Sequence, residues 1–230
     1  NYTYHFNIAN MSDLGDNGYV GGDYYFTYGD ALFMILNTQD TNVSEHKQFI
    51  EETVAANQDC KWRIVTLHQD IYGSAEHSNE PEITNLRYSL VPIFEENDVD
   101  IVLTGHDHAY SRTKMLQGGQ STTGFEYTDD EFDEQLDKDV DVGDSTETIY
   151  EAPANISDDT TDPAEQRYLE YLYSVMDEDA VLELTDNQDV AIDSEGIMYL
   201  TAGSSSGSKY YDLVPRQQSY IANRWQQDVP

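Results

Sequence analysis

Three apolar runs constrain what this chain can fold into: Ala31 to Asn37 (ALFMILN), Lys61 to Leu67 (KWRIVTL) and Val99 to Gly105 (VDIVLTG). Each reads as a β-strand. The first is almost wholly apolar, so it is expected to be buried on both faces. Between the first two lies SEHKQFIEETVAANQ, where Phe49, Ile50, Thr53 and Val54 form one stripe at helical spacing and Ser44 is placed to cap the helix. Between the second and third lies ITNLRYSLVPIFEEN, with Leu86, Leu90 and Phe94 on one face and Pro92 positioned to bend it. This β-α-β-α-β rhythm predicts an α/β core with at least partly parallel strands.

The flanks are less regular. Residues 1 to 22 are rich in Asn, Asp and Gly and read as loop. Tyr24 to Tyr28 reads as a strand, joined to the first apolar run by a tight turn at Gly29-Asp30. Past RTKMLQGG the composition shifts, and an insertion spans about 118–195. Within it, residues 126 to 165 are strongly acidic and are expected to be solvated or partly disordered. PAEQRYLEYLYSVMDE then predicts an amphipathic helix with Tyr168, Leu169, Leu172 and Met176 along one side. GIMYLTAG returns as a strand leading into SSSGSKYYD, and the tail QSYIANRWQQDVP shows no obvious final strand.

Charge narrows the partners. The chain has 11 basic and 45 acidic residues, a formal charge of -34. Such a field repels nucleic acid and anionic membranes and favours cations. No run reaches the ~18 apolar residues of a membrane span. Cys60 is the lone cysteine, so no intrachain disulfide forms. No secretory leader is visible, and the start at Asn1 rather than Met suggests a piece of something longer. The acidity suits an extracellular or cell-surface protein.

The chemistry concentrates at strand ends. His68 closes the second apolar run; His106 and His108 follow the third, with Asp107 between them. Ligands gather at the carboxyl ends of strands in open α/β sheets. If the two strands are neighbours, three imidazoles converge, a donor set suited to Zn, Fe or Mn. Other features are decoys. An EF-hand-like loop from Asp137 has Val142 where Gly is needed and Thr148 where the bidentate Glu belongs. The stretch from Gly203 to Lys209 lacks phosphate-loop spacing. His5 and His46 have no partner pattern, and His46 is expected to be exposed.

RIVTLHQDIYGSAEH followed by VDIVLTGHDHAYSRT resembles the calcineurin-like metallophosphoesterases, especially the purple acid phosphatases and related bacterial phosphohydrolases. YYFTYGDALFMILNT and GIMYLTAGSSSGSKYY are similar to the same branch. The resemblance implies an α/β sandwich of two mixed sheets flanked by helices, incomplete in this chain. It implies two divalent or trivalent metal ions (Fe, Zn or Mn) and a phosphate ester substrate. His68 and His106 would bind the second metal, His108 the first, and His77 would act as general acid.

The family also requires D-x-G, G-D-x-x-Y and G-N-H motifs. GNH is missing, and DLGDNGY only imitates the other two: Asp13, Asp16 and Tyr19 share a single overlapping glycine and follow no long apolar strand. They are expected to be loop residues rather than ligands. The expectation is therefore an internal or C-terminal-half fragment, partnered by a missing N-terminal segment of the same protein. Alone it should bind metal weakly and hydrolyse little. The alternative is a non-catalytic acidic binding module on a phosphoesterase scaffold.

Overall fold

The computed structural model describes residues 5–15, 21–119, 125–140, 148–182, 194–203 and 211–227. Among them the order is β1 (Tyr24–Tyr28), β2 (Ala31–Ile35), α1 (Val43–Ala56), β3 (Trp62–Thr66), α2 (Pro81–Glu96), β4 (Ile101–Thr104) and β5 (Tyr110–Thr113). Then come α3 (Asp129–Asp139), β6 (Thr148–Ile149), α4 (Pro163–Ser174), β7 (Met198–Ala202) and β8 (Ile221–Gln227). The strands form one mixed sheet in the order β1-β2-β3-β4-β7-β5-β8-β6. Neighbours from β2 through β3 and β4 to β7 run parallel. The rest pair antiparallel. The α/β class and flanking helices agree with the sequence; among the described residues there is one sheet rather than two.

Gly29, at φ +59, supplies the left-handed conformation that the tight β1–β2 turn requires. Helices α1 and α2 pack Phe49, Ile50, Leu90 and Phe94 on Leu32, Met34, Val65 and Val102 of the sheet. Pro92 lies inside α2, which continues through it to Glu96. Only alternate residues of β2 are buried, so the expectation that both of its faces are covered fails. Ser44 is not the cap: Asn42 holds that position, and Ser44 lies within the first turn, its hydroxyl donating to Asn42 Oδ1 at 2.6 Å.

The acidic insertion is more structured than its composition suggests. Thr128 and Glu131 form a reciprocal capping box at the start of α3. Phe132 and Leu136, one helical turn apart, are buried against Tyr168, Leu169 and Leu172 of α4. Asp139 is fully buried, where it accepts from the Ile156 N–H at 2.8 Å and pairs with the Arg216 guanidinium. The EF-hand-like and phosphate-loop-like stretches fall mainly on 141–147 and 204–210, outside the described residues.

The tail does contain a strand, β8, seven residues long. Its signal was hidden because, past Ile221, its buried residues are polar. Arg224 is buried and donates to Ser74 Oγ and the Val214 carbonyl; Gln226 is buried and bonds to Asp212 and the Leu213 N–H. Hydrogen bonds replace the apolar alternation by which strands are recognised.

His46 also departs from expectation. It is 2% exposed, not a surface residue. Its Nδ1 lies 2.6 Å from Asp23 Oδ2 and its Nε2 lies 2.8 Å from the Asp40 carbonyl oxygen. Both partners are acceptors, so the ring can satisfy both only as the doubly protonated imidazolium. Its partners lie 23 and 6 residues upstream, at no recognisable spacing.

Candidate metal and catalytic site

Strands β3 and β4 are parallel neighbours, so their carboxyl ends lie side by side. Backbone bonds extend the pairing beyond the strands. The Leu67 N–H donates to the Leu103 carbonyl at 3.1 Å, and the Gly105 N–H to the His68 carbonyl at 3.0 Å. This brings His68 Nε2 within 3.2 Å of His106 Nδ1. His106 adopts φ +66, a left-handed conformation uncommon for a side-chain-bearing residue and typical of functional turns.

His77 arrives from the β3–α2 loop. Its ring stands edge-on to His106, with centroids 4.9 Å apart. The loop is anchored rather than exposed: Ile71, Tyr72, Ser74, Ala75, Ser78 and Asn79 are all buried. A Cβ on Gly73 would lie 1.7 Å from Asp70 Oδ2, so no side chain fits there. Arg87 of α2 clasps the loop from behind. It is fully buried, donates to the carbonyls of Ile71 and Val175, and stacks on Tyr72 with 4.5 Å to the ring centroid. Tyr171 of α4 donates to the Asn79 carbonyl at 2.8 Å, so the insertion is built into this loop's support.

His68 and His106 meet, and the third ring beside His106 is His77 rather than the His108 that the strand-end spacing suggested. His108 is placed differently, with its ring 4.9 Å from that of Tyr211, which also stands 4.7 Å from His77. Among the described residues, no group of three or more His, Cys, Asp or Glu side chains is arranged to hold a metal ion. The His68–His106 pair does suit one shared cation as two of its ligands. Burial, together with the neighbouring His77, His68 and His108, outweighs Asp107 and holds the His106 pKa below its ordinary value, which favours the neutral, ligating imidazole.

Sequence reading missed two buried carboxylates. Asp107, 1% exposed, accepts from the Ser78 hydroxyl at 2.7 Å and from the His77 backbone N–H. Its contact with the His77 ring is the first cause of a raised imidazole pKa. Asp70, 2% exposed, is pushed up to about 7 by burial and by Asp107, against the hydroxyls of Thr201, Thr104 and Ser78. Glu80 is likewise raised to about 7, chiefly by burial, with Asp133 and Asp129 of α3 nearby. Their only signal in the sequence was proximity to the histidines. The D-x-G imitation lies elsewhere: Leu14 and Gly15 line a small depression with Asp40, Glu45 and His46. Asp16 and Tyr19 fall outside the described residues.

Residues 1–110 match the family model described as calcineurin-like phosphoesterase. This chain is a relative of the metallophosphoesterases. It is 33% identical over 97 residues to purple acid phosphatase 4 of Arabidopsis thaliana, covering 38% of this chain and 28% of that protein. It is 26% identical over 129 residues to an uncharacterized protein of Mycobacterium tuberculosis, covering 49% of this chain and 24% of that one. The purple acid phosphatase PPD1 from yellow lupin seeds (Lupinus luteus) matches with a TM-score of 0.45 and 15% identity, over 88% of this chain and 26% of that one. The chain thus spans about a quarter of the length of these relatives.

Proposed function

We propose that this chain takes part in metal-assisted hydrolysis of phosphoric esters. The observation that carries the reading is the 3.2 Å approach of His68 Nε2 to His106 Nδ1 at the ends of adjacent parallel strands. The metallophosphoesterase relationship supports the reaction class. His68 and His106 would share one cation and His108 would serve a second, the remaining donors lying outside the described residues. Cations bound there would polarise the phosphoryl oxygens and acidify water.

The chain's own contribution is to hold and move a proton. His77 faces the His68–His106 pair from a braced loop, and its raised pKa keeps it protonated further toward neutral pH. In this reading it donates that proton to the departing alkoxide or aryloxide. Purified protein should bind Mn, Fe or Zn in calorimetry, with affinity dropping at least about tenfold in His106→Ala, as loss of one of few ligands implies. Unchanged affinity in both His68→Ala and His106→Ala would refute the pair as ligands. Turnover of an aryl phosphate by the metal-loaded protein, lost in His106→Ala, would establish the reaction itself.

A further inference from the structure

Asp107 stands between two candidate ligands, yet its side chain turns away from solvent and is 0% exposed. A buried carboxylate is costly unless paired and hydrogen-bonded. Among the described residues its one ion-pairing contact is His77, whose Nδ1 lies 3.1 Å from Oδ1. Oδ2 meanwhile accepts from the His77 backbone N–H at 3.2 Å and from the Ser78 hydroxyl at 2.7 Å. One carboxylate therefore holds both the backbone and the ring of the same histidine. The ring contact is close but off the line of a good hydrogen bond, and among the described residues Nδ1 has no other hydrogen-bonding partner. Hydrogen bonds between catalytic groups are often long before substrate binds and tighten in the complex.

We propose that Asp107 is a positioning residue that keeps the proton of neutral His77 on Nδ1 and turns Nε2 toward the substrate. This rests on the reading of His77 as the acid. The loop around it is fixed independently, by Arg87 through Ile71 and by Tyr171 through Asn79. What Asp107 adds, besides its bonds to the His77 backbone and the Ser78 hydroxyl, is the orientation of one ring. The hydrogen bond at one imidazole nitrogen decides which form the other presents. Such outer contacts matter because a donor misplaced by about 1 Å can cost a hundredfold in rate.

Nitrogen-detected NMR of the full 230-residue chain, without metal and above the imidazole titration, reads the tautomer of His77 directly. The expected result is a protonated Nδ1 and a bare Nε2. A protonated Nε2 in the unaltered protein would overturn the proposal, and this measurement needs no variant to fold. Asp107→Ala should abolish the Nδ1 preference. Ser78→Ala, which removes a bond to the same carboxylate but not the ring contact, should retain it. Equal effects of the two variants would reduce Asp107 to loop packing and end the proposal. None of this depends on turnover. If metal-loaded His77→Gln kept full activity, the acid assignment would fall while the Asp107 contact stood.

Discussion

The two faces of the sheet are built from alternate residues of the same strands, and both are apolar. On one face the row Tyr25, Met34, Val65, Val102 and Tyr199 runs across five paired strands. Met34, Val65, Val102 and Tyr199 are at most 2% exposed, beneath α1 and α2. One residue along, the row Phe26, Phe33, Ile64, Ile101 and Met198 runs across the same strands. There Phe26 is 39% exposed and the others are half-buried, and none joins a buried cluster. Parallel strands with apolar side chains on both faces call for a layer on each. The described residues supply one. Composition sets how many faces need covering; which face is covered depends on where the helices return.

That contrast can be broken by mutation. Met34→Ala opens a cavity under the helices and should cost about 2–5 kcal/mol. Phe33→Ala, its neighbour in β2, loses mainly the stack on Phe26 and should cost about 1 kcal/mol. Urea denaturation of both variants checks the ratio. Equal losses would mean that the second face is as well packed as the first.

His46 belongs to the covered side, where it ties α1 to Asp23 ahead of β1. Its pKa is lowered by burial but raised more by the Asp23 carboxylate and the Asp40 carbonyl, and the net direction is upward. The folded state therefore holds this proton more tightly than the unfolded chain. The stabilisation is complete below the unfolded value of about 6.5 and is lost as pH rises through the folded value. Within that window each pH unit should remove up to about 1.4 kcal/mol. Below it, His46→Gln should cost about 1.5–3 kcal/mol, the worth of hydrogen bonds to a charged group. Thermal unfolding followed from mildly acid to alkaline pH should fall more steeply for the native chain than for the variant. Parallel curves would refute the buried imidazolium.

Much of this was legible because period and position carry it. The parallel core showed in apolar runs alternating with helical stripes, and His68 and His106 showed because they follow neighbouring strands; His77, in the loop between, showed only through the family resemblance. What escaped shares one cause: polar groups buried by long-range partners. Asp107, Asp70, His46, Arg224 and Gln226 are all at most 6% exposed, and each is held by hydrogen bonds to residues distant in sequence. Such residue types are read as exposed by default. His108 was grouped with His106 because they are two residues apart. The left-handed turn at His106 and the placement of Tyr211 beside His108 are not visible at that resolution of pattern.

The smallest expected effect on stability is the most telling about the uncovered face. Phe26 and Trp62 are 39% and 54% exposed and flank it from β1 and β3. Trp62→Ser should change unfolding free energy by only about 0.5 kcal/mol, as for other surface positions, and Phe26→Ser by about 1 kcal/mol, because it loses the same stack on Phe33. The same changes should lower binding of an apolar fluorescent dye to the folded protein, because the dye reads contiguous exposed apolar surface. Dye binding that survives both substitutions would place the exposed apolar surface elsewhere. A loss well beyond these values would instead show that these rings are packed as the covered row is, and that the two faces differ less than their exposure indicates.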